Sequence, residues 1–115
     1  MGYRSDVALG LRKVDFEELM KRVELIEKQD VKKEVIELIK DGKKNIKQSY
    51  TDFVVLYWES IKWYENMFPE IKFIMNFIED LEEYDYVRIG EDTDDITEEL
   101  YSGHYLCTVS RSIDF

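Results

Sequence analysis

The sequence has few of the residues that build covalent, metal or nucleophilic sites. Its 115 residues include one cysteine, one histidine and one proline. Cys107 cannot form an internal disulfide, which favours a small core residue in a reducing compartment over a nucleophile. The sequence also contains no Walker loop, GxGxxG, CxxC or HExxH motif. We therefore expect a protein that is not an enzyme and that uses no cofactor and no motif-defined metal site.

Long apolar runs are missing as well. The longest run, residues 53–58, is far shorter than the roughly 20 residues that cross a bilayer. This predicts no membrane partner and a cytoplasmic location. A hydrophobic content of 44% with 14% aromatic residues favours a folded chain over a disordered one. The length predicts a single α+β domain over residues 1–115.

Positive charge is scarce in one part of the chain only. The net charge is −10, yet residues 1–72 carry 14 Lys/Arg and 14 Asp/Glu. The whole excess therefore lies in residues 73–115, which hold 2 Arg and 12 Asp/Glu. Between residues 79 and 99 eleven carboxylates surround a single cation, Arg88. Such a balance disfavours direct binding of nucleic acid, whose phosphates need Lys and Arg.

What is present follows two periodicities. Apolar residues at helical spacing predict a helical region over 15–41, broken near Gln29 and ended by Gly42, and a helix beginning at Pro69. β-Branched and aromatic residues predict strands. Their predicted ranges are 5–11, 43–50, 53–64, 84–89, 96–101 and 105–113.

This order of elements predicts an α+β fold. We expect a two-layer sandwich in which a mostly antiparallel sheet carries two to three helices on one face. Its first part would be a ferredoxin-like βαββαβ portion, followed by a C-terminal hairpin. Strict alternation along 53–64 places Trp58 and Trp63 on opposite faces of the sheet.

The concentrated negative charge suggests a docking surface. Carboxylates spaced along one side of the domain would occupy a Lys/Arg-lined groove that normally holds nucleic acid, and their field would speed association. Exposed tryptophans would anchor the partner. The candidate partner-binding residues are Glu82, Glu83, Asp85, Glu91, Asp92, Asp94, Asp95, Glu98, Glu99, Trp58 and Trp63.

Three other interpretations stay open. Residues 91–99 would serve a metal-binding module or a small metal-dependent enzyme, although counting an EF-hand from Asp92 puts Thr97 where glycine is required. The same residues would also suit a solvated hairpin without a binding role. The chain would otherwise be a plain interaction or assembly subunit, with a homodimer formed through a strand edge. His104 and Cys107 predict no catalytic pair, because alternation points them to opposite faces.

Four segments of the sequence carry a resemblance. Residues 1–7 (MGYRSDV), 57–64 (YWESIKWY), 68–70 (FPE) and 87–92 (VRIGED) resemble a group of small proteins from phages and mobile elements. The resemblance transfers no catalytic residue. It implies a phage-type accessory protein, acting in the bacterial host cell by stoichiometric binding to host machinery with a basic surface. Anti-CRISPR proteins, which inhibit a CRISPR effector, are one such class of counter-defence inhibitor.

Overall fold

A four-stranded antiparallel sheet with helices on one face forms the domain. The structure, a computed structural model, describes residues 3–44, 52–92, 94–101, 108–109 and 113–114. None of the described helices is both long enough and apolar enough to cross a membrane. The elements are β1 Ser5–Arg12, α1 Lys13–Glu24, α2 Gln29–Lys44, β2 Phe53–Ile61, α3 Pro69–Glu79, β3 Tyr84–Ile89, β4 Ile96–Leu100, β5 Thr108–Val109 and β6 Ile113–Asp114.

The predicted α+β sandwich is confirmed, and only the first half of its ferredoxin-like portion is corrected. The sheet has the order β2-β1-β3-β4, and every neighbouring pair is antiparallel. In a split βαβ unit, by contrast, the two strands joined by a helix are parallel and have another strand between them. Here α1 and α2 connect β1 and β2, which pair directly, so the first expected unit is absent. Strands β2 and β3, joined by α3, are parallel with β1 between them and do form a split βαβ unit. The predicted strand 43–50 also begins inside α2, and residues 45–50 lie outside the described residues.

The helices begin close to their predicted positions for identifiable reasons. Pro69 occupies the first turn of α3, where its missing N–H costs nothing. Helix α1 begins two residues earlier than expected, so Asp15 lies within its first turn rather than at the start of the helix. There the negative charge of Asp15 interacts favourably with the helix dipole. Its carboxylate also accepts a 2.7 Å hydrogen bond from Arg12 Nε. The break between the first two helices falls at residues 25–28.

The main core lies between the helices and one face of the sheet. Alternate residues of β1 point into it and are fully buried, and each helix adds buried apolar residues flanked by partly buried ones. The strand residues of this core include Val7, Leu9, Leu11, Leu56, Tyr84 and Tyr86. The opposite face carries a smaller apolar cluster around Ala8 and Val87, and β6 lies against β1.

The second half of β2 departs from strict alternation. Pairing with β1 is regular from Phe53 to Trp58 and then shifts before Ile61. Ser60, within this irregularity, has φ 53°, the left-handed region. Its N–H donates to Asp6 Oδ1 at 2.9 Å, and its carbonyl accepts from Arg4 Nη1 at 2.8 Å. These two contacts hold a backbone conformation that costs a non-glycine residue free energy.

The irregularity brings both tryptophans into one core. Their rings lie 5.1 Å apart, and Trp58 and Trp63 are only 3% and 6% exposed. The prediction that they occupy opposite faces was therefore wrong. An extra residue in a strand reverses the facing of every residue after it, and sequence alternation alone does not reveal where that happens.

Gly42 lies inside α2 rather than after its end, which corrects the predicted helix terminus. A Cβ at this position would lie 2.7 Å from Cζ2 of Trp58 and 3.1 Å from Cβ of Leu56. The missing side chain lets the indole approach the helix, where Trp58 Nε1 donates to the Leu38 carbonyl at 2.8 Å. The glycine therefore serves close packing between α2 and β2 rather than helix termination.

Candidate functional site

The predicted partner-binding carboxylates do not form one continuous surface. Glu91, Asp92, Asp94 and Glu98 are exposed, in the turn between β3 and β4 and on β4 itself. We call these four residues the acidic surface. None of them forms an ion pair with another described residue. Of the predicted partner-binding carboxylates, these four are accessible on one loop and the strand that follows it.

Two of the predicted carboxylates lie at the other end of the sheet. Glu82 and Glu83 precede β3, on the side where β1 ends at Arg12. The pKa of Arg12 is raised mainly by its hydrogen bond to Asp15 and further by the charges of Glu83 and Glu82. These two glutamates therefore belong to a separate patch that contains a cation.

The remaining predicted carboxylates are engaged within the domain. Asp85 is fully buried on the face of the sheet opposite the helices, so it cannot contact a partner from this position. Glu99 is half-buried and accepts a 2.7 Å hydrogen bond from the Tyr84 hydroxyl. Trp58 and Trp63 are also buried, which corrects their predicted role as exposed anchors.

Asp95 holds the loop that presents the acidic surface. Its carboxylate receives both Arg88 Nη1 at 3.1 Å and Nη2 at 2.6 Å, and it accepts from the Tyr3 hydroxyl at 2.6 Å. The Tyr3 oxygen in turn accepts from the backbone N–H of Asp92 at 3.0 Å. Tyr3, which precedes β1, is thereby connected to Asp95, 92 positions later in the chain.

The Arg88 contact also fixes the charge of Asp95. Hydrogen bonds from Arg88 and then Tyr3 lower the pKa of Asp95 to about 2 because both favour the ionised form. The pKa of Arg88 is raised by the same pairing. This bidentate geometry is the strong form of the arginine–carboxylate pair. Asp95 is therefore a structural carboxylate, in contrast to the exposed carboxylates beside it.

Gly90 makes room for this network, which consists of Tyr3, Arg88, Asp95 and the N–H of Asp92. Its N–H donates to the Asp95 carbonyl at 2.7 Å, which closes the loop. A Cβ on residue 90 would collide with the Asp95 carboxylate and with the Tyr3 hydroxyl. The loop therefore requires glycine where β3 ends, because the ion pair approaches the backbone there.

A cleft of about 450 Å³ opens on the helix side of the sheet next to this network. The chain following β2, helix α3 and strands β3 and β4 contribute its walls. Trp63 and the tyrosines 64, 84 and 86 supply aromatic surface, and three glutamates, 65, 79 and 99, supply carboxylates. The sequence predicted Trp63, Asp95 and Glu99 as site residues but not this cleft, because the lining residues come from five separated segments.

The structure offers no support for a metal centre in residues 91–99. Within the described parts of the chain, no three His, Cys, Asp or Glu side chains are grouped so as to hold a metal ion. The physical reason is visible in the loop, since Asp95 is already bound to Arg88 and Tyr3. His104 and Cys107 lie outside the described residues.

No protein-family model matches the chain, and no match was found among curated proteins or solved structures. The functional argument therefore rests on the geometry of this domain.

Proposed function

We propose that this protein is a non-enzymatic, cytoplasmic inhibitor that binds a host nucleic-acid-handling or defence complex through its acidic surface. The observation that carries the proposal is the contrast within one loop. Asp95 is neutralised by Arg88, whereas the four neighbouring carboxylates are exposed and without ion pairs among the described residues. The resemblance to phage accessory proteins of the anti-CRISPR kind supports the choice of partner.

The physical basis is competition for a cationic groove. The Lys and Arg side chains of such a groove displace the counterions that are condensed on nucleic-acid phosphates, and an acidic protein surface can take the place of the phosphates. Glu91, Asp92 and Asp94 project from a loop whose shape is fixed by Tyr3 and Arg88. A fixed loop loses less conformational freedom on binding than a flexible one. Association should be fast and should weaken as salt is added.

The test neutralises the acidic surface without changing its shape. The variant Glu91→Gln/Asp92→Asn/Asp94→Asn/Glu98→Gln removes four charges and leaves Asp95 in place. A matched control removes four charges from exposed residues of the helical region that form no ion pair with a described residue, with the changes Glu17→Gln, Glu27→Gln, Glu34→Gln and Glu37→Gln. Both proteins are then compared with the unmodified chain in bacteria that carry an active CRISPR system and receive a targeted plasmid.

The expected result is that the unmodified chain and the control variant both raise plasmid survival, whereas the loop variant does not. In pull-downs, the unmodified chain and the control should retain the same host complex, which should be released by added salt or by competing DNA. Retention of that complex by the loop variant would contradict the proposal. Equal loss with the control variant would contradict it too, because total charge rather than the acidic surface would then be responsible.

A further inference from the structure

Strand β4 forms one edge of the sheet. In the order β2-β1-β3-β4 its only neighbour is β3, and the two later described strands pair with each other instead of extending the sheet. No residue of β4 is buried, whereas the first four residues of β3 all are. Among the described residues, the outer side of β4 is therefore open to pairing with another chain.

The register shows which backbone groups of β4 point outward. At one end of the β3–β4 ladder the Tyr101 N–H donates to the Tyr84 carbonyl at 2.9 Å, and at the other end the Gly90 N–H donates to the Asp95 carbonyl at 2.7 Å. Directly bonded pairs alternate with unbonded pairs along an antiparallel ladder. Counted inward from both ends, the second and fourth residues of β4 bond to β3, and the backbone groups of the first, third and fifth face away from it.

The residues whose backbone groups face away are Ile96, Glu98 and Leu100. The Ile96 N–H donates to the Asp94 carbonyl at 3.1 Å within the loop. The Ile96 carbonyl and both backbone groups of Glu98 and Leu100 are bonded to no other described residue. An extended segment can bond to all of them by adding a strand to the sheet, the recognition mode known as β-augmentation.

The ends of β4 are apolar and exposed, which is a second sign of a partner. Ile96 is 44% exposed and Tyr101, directly after the strand, is 57% exposed. Both are large hydrophobic side chains that the described part of the domain leaves in contact with solvent. Open backbone groups beside exposed apolar side chains form a template on which another chain can pair. Neither feature depends on the charge of the strand.

Glu98 determines which chain can pair there. It is exposed at the centre of β4 and forms no ion pair with another described residue. Symmetric antiparallel pairing with a second copy along the whole of β4 would place the two Glu98 side chains directly opposite each other, and like charges in that position are destabilising. A Lys or Arg of a different chain would instead form a favourable cross-strand pair. The charge therefore selects a basic segment over a second copy.

The loop before β4 strengthens this preference. A segment that runs antiparallel to β4 passes Leu100 first and Ile96 last, and its following residues then approach the loop. Asp92 and Asp94 lie in that loop, and both belong to the acidic surface. Basic residues at the C-terminal end of the segment would meet these carboxylates, so the acidic surface and the strand edge would contact one continuous stretch of the partner.

We propose that the outer edge of β4 binds an extended basic segment of the partner as an added antiparallel strand. The segment has a Lys or Arg opposite Glu98, apolar residues opposite Ile96 and Leu100, and further basic residues beside the loop. Main-chain hydrogen bonds provide affinity, and the alternate side chains provide specificity. The proposal rests on the proposed function for the source of the segment, a basic host protein, but not for the geometry of the edge.

The amide hydrogens of β4 report on this edge. In the free chain the N–H groups of Glu98 and Leu100 should exchange with deuterium faster than those of Thr97 and Glu99, which bond to β3. The probe is the peptide acetyl-Val-Thr-Lys-Thr-Val-Lys-Lys-amide, whose first lysine falls opposite Glu98. At millimolar concentration it should slow exchange at Glu98 and Leu100 more than at Thr97 and Glu99, as measured in ¹H–¹⁵N spectra of the full chain.

Two N-methylated peptides provide a matched control for the backbone contact. In the added strand the N–H of the first lysine points to the Glu98 carbonyl, whereas the N–H of the next threonine points away from β4. Methylating the lysine nitrogen should weaken binding at least about fivefold through the lost hydrogen bond. Methylating the threonine nitrogen should change the affinity by less than about twofold, because that nitrogen donates no bond to β4.

The side-chain contact is tested on the protein. Glu98→Gln should weaken binding of the probe about threefold, since a cross-strand ion pair becomes a neutral pair. Glu34→Gln removes the same charge from the exposed side of α2 and should bind as the unmodified chain does. Equal affinities of the two variants would show that Glu98 does not select the segment, which would overturn the chemistry proposed for it.

Other occupants of the edge would be recognised by the same measurement. Slow exchange at Glu98 and Leu100 in the dilute free chain would mean that its own residues cover the edge, and slowing that increases with protein concentration would mean that a second copy does. An equal effect of the two N-methyl groups would mean that the peptide binds through charge alone. Each of these results would overturn the proposal.

Because the peptide assay contains no host protein, it can fail separately from the proposed function. If the probe slows exchange at Glu98 but the neutralised loop variant still retains the host complex, the proposed function is contradicted and the edge stands as a site for a basic segment from another source. If the probe has no effect while the loop variant loses the complex, the proposed function stands and the edge proposal is overturned.

Discussion

The tryptophan core and the acidic loop are both positioned by long-range contacts, but through different forces. In the core, Trp58 and Trp63 are almost completely buried, and α2 approaches them closely because residue 42 has no side chain. In the loop, a half-exposed Asp95 is held by Arg88 and Tyr3. Burial is insensitive to salt and pH, whereas an ion pair near the surface depends on both. The core therefore determines whether the domain folds, and the network determines how the loop is presented.

The largest effect should come from the core. Trp58→Ala removes a fully packed indole and its hydrogen bond to Leu38, so we expect the free energy of unfolding to fall by about 3–5 kcal/mol. Urea unfolding followed by far-ultraviolet circular dichroism measures this. A loss below about 1 kcal/mol would contradict the burial described for this residue.

A smaller but more specific effect is expected at Gly42. Alanine improves helix propensity by about 1 kcal/mol, but overpacking against the Trp58 ring costs about 1–3 kcal/mol. We expect a net loss of about 1 kcal/mol in the free energy of unfolding. In a Trp58→Phe background the smaller ring should relieve the clash, so the same substitution should become neutral or stabilising. An identical cost in both backgrounds would show that the indole is not responsible.

The network should respond to pH where the core does not. The ordinary pKa of Asp95 is 3.8, and its value in the folded chain is about 2. The stabilisation is therefore fully present above about pH 4 and is lost as the pH falls towards about 2. We expect the urea midpoint of Asp95→Asn to lie below that of the unmodified chain at neutral pH.

This difference between the two urea midpoints should shrink as the pH falls from about 4 towards about 2. Asp94→Asn provides the control, because the Asp94 carboxylate is exposed and forms no ion pair with another described residue. A pH-independent difference for Asp95→Asn would mean that the Arg88 pairing does not stabilise the fold.

The smallest effect is expected at Ser60, which lies between the two tryptophans in the sequence and contacts Asp6 and Arg4. Its left-handed conformation favours glycine by about 1 kcal/mol, while the greater freedom of glycine in the unfolded chain offsets about half of this. Ser60→Gly should therefore raise the free energy of unfolding by about 0.5 kcal/mol. Ser60→Ala retains a Cβ and should give no gain. Equal results for the two variants would contradict a strain at this position.

The local parts of the fold were predictable from sequence. Strand β3 has the predicted bounds, and α3 begins at Pro69, because periodicity and a proline at the first turn are signals within a few residues. The side of the sheet on which Trp63 lies was not predictable. It depends on the irregularity at Ser60, which is stabilised by Asp6 and Arg4 from a different strand.

For the candidate sites, the sequence predicted which residue types are abundant but not how they are arranged. A count of charges identifies an acidic C-terminal region but cannot show that Asp95 is paired with Arg88 while Asp94 is exposed. It also cannot separate Glu82 from the loop at the other end of β3. The cleft required the fold itself, since Glu65 and Glu99 approach it from segments that share no motif.

The contact between Tyr3 and Asp95 has a consequence for synthesis of the protein. The two residues are 92 positions apart, so the ribosome must complete almost the whole sheet before they can meet. The loop would therefore reach its fixed shape only late in synthesis, after nearly all of the chain has been made. Chains truncated at the N-terminus would carry the exposed carboxylates without Tyr3, one of the two side chains that hold Asp95.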